Sequence, residues 1–63
     1  MKKYLKIRDL FYEILEESFG SWLVTTVNGS ELLIEKEEFE KINDTTYEYV
    51  GLGSPTVLQR MVG

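Results

Sequence analysis

The chain contains neither cysteine nor histidine. Without cysteine there is no disulfide and no thiolate nucleophile. Without histidine there is no imidazole acid or base and no Ser-His pair. Together the two absences remove every common structural zinc site. Positive charge is also scarce, with 7 basic residues against 11 acidic ones and a net charge of −4. A phosphate backbone or an anionic membrane surface calls for a basic face, so direct nucleic-acid and membrane binding are not expected. No apolar run approaches the ~20 residues that span a bilayer. The segment Met1–Asp9 is too interrupted by charge to be the apolar region of a signal peptide, and a cytoplasmic location is expected. Repeats and low-complexity segments are absent as well.

These absences bound both stability and chemistry. The 63 residues make one domain, residues 1–63. A domain of this size buries only about 60% of its unfolded surface. Its core alone supplies at most about 3–5 kcal/mol. With disulfides and zinc excluded, the remaining means of stabilisation is association, so a homo-oligomer or an obligate complex is expected. Catalysis would have to rest on carboxylates, lysine, tyrosine or a bound cation in a core too small for a desolvated pocket. A non-catalytic protein without a cofactor is therefore expected.

What is present centres on Trp22–Glu35. Asn28-Gly29 lies between two runs of β-branched and apolar residues, which predicts a hairpin with a type I′ turn. A two-residue turn pairs Val27 with Ser30, Thr25 with Leu32 and Leu23 with Ile34, and puts these six on the core face. Trp22, Val24, Thr26, Glu31, Leu33 and Glu35 then share the other face. There Trp22, Val24 and Leu33 form an apolar patch rimmed by carboxylates, a reasonable surface for a protein partner unless the C-terminal segment covers it.

Residues 2 to about 18 read as an amphipathic helix, with Tyr4, Ile7, Phe11, Ile14, Leu15 and Ser18 at helical spacing. Leu5, Leu10, Tyr12 and Phe19 widen its stripe beyond what the hairpin can cover. Its charges oppose the helix dipole: Lys2, Lys3, Lys6 and Arg8 come first, and Glu13, Glu16 and Glu17 last. Gly20 reads as the left-handed cap that stops the helix. Lys36–Ile42 reads as one or two helical turns ended by Asn43-Asp44. Thr45–Val50 reads as a third strand, antiparallel to an edge of the hairpin, with Tyr47 and Tyr49 on one face. Ser54 and Pro55 look like the N-cap and first residue of a short helix over residues 55–62 that buries Leu58, Met61 and Val62. The expected fold is thus α+β: a long helix on a three-stranded antiparallel sheet, with a short helical turn and a short C-terminal helix.

Two candidate sites follow. The segment Glu31–Glu48 holds seven acids and two lysines. With Trp22, Val24 and Leu33, the carboxylates Glu35, Glu37, Glu38 and Glu40 form a surface for a basic protein, as a nucleic-acid mimic would. This points to a small binding protein that blocks or sequesters a larger partner, such as a phage or mobile-element inhibitor of a host defence system. The second site is the loop Gly51, Gly53, Ser54 and Thr56 ahead of a helix N-terminus, an arrangement that can hold a phosphate. Arg60 would add a contact, and Tyr47, Tyr49 or Trp22 would stack on a base. That site implies an oligomeric binder of a nucleotide or other phosphate-bearing ligand. A third reading is an accessory subunit of a larger complex.

Overall fold

The computed structural model describes residues 1–61, and none of these is in a helix. Seven strands follow one another: β1 (Lys3–Ile7), β2 (Leu10–Ser18), β3 (Ser21–Thr25), β4 (Glu31–Glu35), β5 (Phe39–Asn43), β6 (Thr46–Tyr49) and β7 (Val57–Met61). They form one sheet in the order β5-β6-β1-β2-β3-β4-β7. Every neighbouring pair is antiparallel except β1 and β6, which run parallel with Tyr4 beside Thr46 and Lys6 beside Glu48. A flat sheet of seven strands, spaced about 4.8 Å apart, would be roughly 30 Å wide and ~10 Å thick. The molecule measures 29 × 27 × 25 Å, so the sheet is rolled.

The expected α+β fold is therefore overturned, beginning with the N-terminal helix. Residues 2–18 form two strands joined at Arg8-Asp9, with Ile7 paired to Leu10 and Arg8 left-handed at φ 58°. The apolar residues of this segment satisfy two periods at once. Tyr4, Ile7, Phe11 and Ile14 fit a helix, whereas Leu5, Ile7, Tyr12 and Ile14 fit two strands with one buried face, and the second set packs in the core. The charges explain the choice. Basic residues before acidic ones oppose a helix dipole but suit a hairpin and its neighbours. Lys2 meets Glu13 at 3.8 Å, Lys6 meets Glu48 at 3.4 Å, and Glu17 meets Lys36 at 2.7 Å. Such surface pairs are worth at most about 1 kcal/mol each, so they select between alternatives more than they stabilise the fold.

The central hairpin forms, but with a different loop. Gly29 N–H donates to Thr26 O at 3.0 Å, and Thr26 N–H donates to Ser30 O at 2.8 Å. Gly29 is left-handed at φ 88° and Asn28 is not, so the turn is not type I′. Pairing becomes Trp22 with Ile34, Val24 with Leu32, Leu23 with Leu33 and Thr25 with Glu31. A slip of one residue exchanges the two faces of a strand. Trp22 and Val24 thus enter the core, while Leu23 and Thr25 face out. Gly20 is left-handed as expected, at φ 86°, but it serves the β2–β3 turn and caps no helix.

The remaining helical expectations fall for related reasons. Residues 36–42 turn at Glu37-Glu38, with Glu38 at φ 64°, and enter β5. Asn43-Asp44 does break the chain: Asn43 Oδ1 accepts from Thr45 N–H at 2.9 Å. The third predicted strand exists as β6, but it pairs with β5 and runs parallel to β1 rather than joining the hairpin. In place of the C-terminal helix the chain forms β7 along β4, with Leu58 exposed; Val62 lies outside the described residues.

Leu5, Val24 and Ile34 are fully buried and Trp22 nearly so. The indole of Trp22 packs edge-on against Phe39 at 5.1 Å and at a tilt against Tyr47 at 5.0 Å. Phe39 sits four strands away from Trp22 in the sheet order, so this aromatic cluster closes the roll. Three bulges help bend the sheet. Each leaves one apolar residue unpaired and exposed: Leu15 in β2, Ile42 in β5 and Leu58 in β7.

Candidate functional site

The two sites read from the sequence fare differently. Of the apolar patch, Trp22 and Val24 are core residues, and Leu33 lies on the opposite face of the sheet, beside Leu23. The three do not form a surface together. The carboxylates, in contrast, gather at one end. Glu35 ends β4, Glu37 and Glu38 make the following turn, and Glu40 in β5 lies directly opposite Glu48 in β6. Like charges directly across a ladder are destabilising. Lys6 offsets part of the Glu48 charge. The charge of Glu37, followed by desolvation and a hydrogen bond that the protonated Glu35 carboxyl donates to Glu37, raises Glu35 above the ordinary carboxylate range.

Exposed apolar groups adjoin these acids. Val50 N–H donates to Glu38 O at 2.8 Å. The Tyr49 hydroxyl lies 3.3 Å from Glu38 Oε2 and 3.4 Å from Leu52 O. Burial, and then the Glu38 charge, holds the Tyr49 phenol above its usual range. Val50 is half exposed and Leu52 is 97% exposed. The acidic end thus has an apolar component that sequence reasoning placed at Trp22.

The crowding makes stability at this end depend on pH. A carboxyl group whose pKa is raised by folding favours the folded state when protonated, and that contribution is lost as pH rises through the raised value. Glu35→Gln is therefore expected to raise the urea midpoint near neutrality. The gain should disappear below the carboxylate range, where Glu35 is already neutral. Glu17 behaves in the opposite sense. The Lys36 hydrogen bond lowers its pKa, so its contribution is present at neutral pH and lost on acidification.

The glycine-loop site is not assembled as expected. Strand β7 follows it instead of a helix, so among the described residues no helix N-terminus points at a ligand. A Cβ on Gly51 would overlap Glu38 Oε2 and Tyr49 Oη, so its close neighbour is a carboxylate that repels phosphate. Gly53 O accepts from Arg8 Nη2 at 2.6 Å, and Thr56 O accepts from Glu35 N–H at 3.0 Å. Tyr47 is committed to Trp22, and Tyr49 to Glu38 and Leu52. Ser54 and Arg60 alone of this set come together, lining a cavity of about 200 Å³ with Ile7, Tyr12, Leu32 and Pro55. Tyr12, Arg60 and Leu32 also wall an adjoining cavity of about 260 Å³ beside Thr26, Asn28 and Ser30. No sequence signal joins these residues, because strand pairing alone brings β2, β4 and β7 together.

Among the described residues, no group of three or more acids is placed to hold a metal ion. No helix there is long and apolar enough to cross a membrane. Comparison with protein-family models, curated proteins and solved structures finds no match.

Proposed function

We propose that this is a small non-catalytic binding protein whose acidic end engages a larger, basic protein partner. The observation that carries this reading is the placement of carboxylates against one another. Glu40 faces Glu48 across a ladder, and Glu35 is held beside Glu37, although both arrangements oppose folding. A local rule broken at a cost is the mark of a surface kept for function. A cationic partner relieves that repulsion on binding, so part of the folding cost returns as affinity. Val50 and Leu52, exposed beside Glu38, supply the apolar contact that a charged rim alone lacks.

The action this supports is occlusion of a positively charged channel or groove, as in a phage or mobile-element inhibitor that acts in the cytoplasm. A core of only four buried hydrophobic residues among those described is in keeping with a chain that gains stability from a partner or a second copy. The test is affinity capture from host lysate with intact protein as bait, beside the variant Glu35→Lys, Glu37→Lys, Glu38→Lys, Glu40→Lys. The wild type should retain a basic protein that elutes with increasing salt, and the variant should lose it. Equal retention by both proteins overturns the acidic-end reading.

A further inference from the structure

The inner wall of the sheet carries a feature that the acidic end does not use. Arg60 pairs with Leu32 across β4 and β7 and stands where the two cavities meet. Among the described residues it makes no ion pair, which is also true of Lys3 and Lys41, whereas Lys2, Lys6 and Lys36 are matched with glutamates and Arg8 is tied to Gly53 O. Among the described residues, neither cavity is lined by an aspartate or glutamate. Glu31, one residue from Leu32 on β4, falls on the outer face by strand alternation. Among the described residues, a cation without an ion pair thus faces a recess without carboxylates, in a chain whose net charge is −4.

The walls divide by chemistry. Around the larger cavity stand the hydroxyls of Tyr12 and Ser30 and the amide of Asn28. The Thr26 hydroxyl hydrogen-bonds Asn28 Oδ1, which leaves the Asn28 amide N–H groups as donors. The smaller cavity is the more apolar of the two, with Ile7, Ile34, Pro55 and Val57 beside Ser54 and Arg60. A guanidinium presents a planar fork of donors that matches the two oxygens of a carboxylate or phosphate. An apolar space of about 150 Å³ accepts a benzene ring, so a ring fits the smaller cavity.

We infer that the paired cavities bind a small amphipathic oxyanion. Its phosphate or carboxylate head sits on Arg60 with donors from Ser30 and Asn28. Its ring or branched apolar tail lies along Ile7, Ile34 and Val57. This site is separate from the acidic end, and the quadruple lysine variant should retain it.

The test is a titration of ¹⁵N-labelled protein with phenyl phosphate, benzoate, inorganic phosphate and phenol, following the amides of Thr26, Asn28, Ser30, Leu32 and Arg60. At least one aromatic oxyanion should shift these amides saturably, and bind about tenfold or more tightly than phosphate or phenol alone. Whichever of the two binds identifies the head group. Arg60→Gln should weaken that binding by at least about tenfold and leave phenol unaffected, as expected for loss of a charged hydrogen-bond partner. Arg60→Lys, which keeps the charge and loses the fork, should fall between; it also serves if Arg60→Gln does not fold. Absence of saturable shifts at these amides with both aromatic oxyanions overturns the inference. So does equal binding by the wild type and the Arg60 variants.

Discussion

Trp22→Ala is expected to unfold most of the chain at room temperature. Removing a buried tryptophan side chain costs about 3–5 kcal/mol. The core of a domain of this size supplies at most about 3–5 kcal/mol. The loss is concentrated because Trp22 is where the rolled sheet meets itself, between Phe39 of β5 and Tyr47 of β6. It also removes the ring over which Lys36 Nζ sits at 5.2 Å. Trp22→Phe should be far milder. It keeps an aromatic ring and deletes an indole N–H that is buried without a hydrogen-bond partner among the described residues. An unpaired buried donor is itself destabilising, so its removal offsets part of the lost volume. Urea unfolding followed by far-ultraviolet circular dichroism reads both variants. A Trp22→Ala midpoint equal to that of the wild type is incompatible with a core closed by this residue.

Leu5→Ala and Phe11→Ala separate the rolled sheet from a helical N-terminus. On a helix Phe11 belongs to the centre of the apolar stripe and Leu5 to its margin. In the sheet Leu5 is 0% exposed and Phe11 is 50% exposed. Leu5→Ala should therefore cost about 2–5 kcal/mol. Phe11→Ala should stay within about 0.5 kcal/mol, as for a surface substitution. The reversed order would restore the helix. Leu5 is a sharp probe because it lies in β1, between β2 and β6, and its loss loosens both seams.

What the sequence made legible was local. Asn28-Gly29, Gly20 and Asn43-Asp44 each turn the chain, because a left-handed residue or a side chain that bonds its own backbone acts within a few positions. The strand over residues 46–49 was legible for a similar reason, as Thr-Tyr-Glu-Tyr has little tendency toward anything else. The N-terminal segment was misread because its apolar residues satisfy both periods. The dipole-opposed lysines and glutamates were the available signal for strands. The hairpin faces were exchanged because one additional loop residue shifts the register, and no local pattern distinguishes the two loops. β7 was missed because Ser54-Pro55 resembles a helix start, while the edge of β4 that recruits Val57–Met61 is distant in sequence. The candidate sites divide in the same way. The acidic end was visible because its carboxylates are neighbours in the chain. The Arg60 recess was not, because Tyr12, Leu32 and Arg60 become neighbours only through pairing.

The parallel seam between β1 and β6 has a consequence for how the chain assembles. The meander β1–β4 and the hairpin β5–β6 each consist of neighbouring antiparallel strands and close through short turns. Their union needs Tyr4 beside Thr46, a contact between distant parts of the chain. Loop-closure entropy opposes such a contact until it is made, and Trp22 meets Phe39 and Tyr47 only afterwards. Docking of two quickly formed modules is therefore the slow event in folding. On a ribosome, β1 emerges before the other six strands and waits for its second neighbour until β6 has followed it.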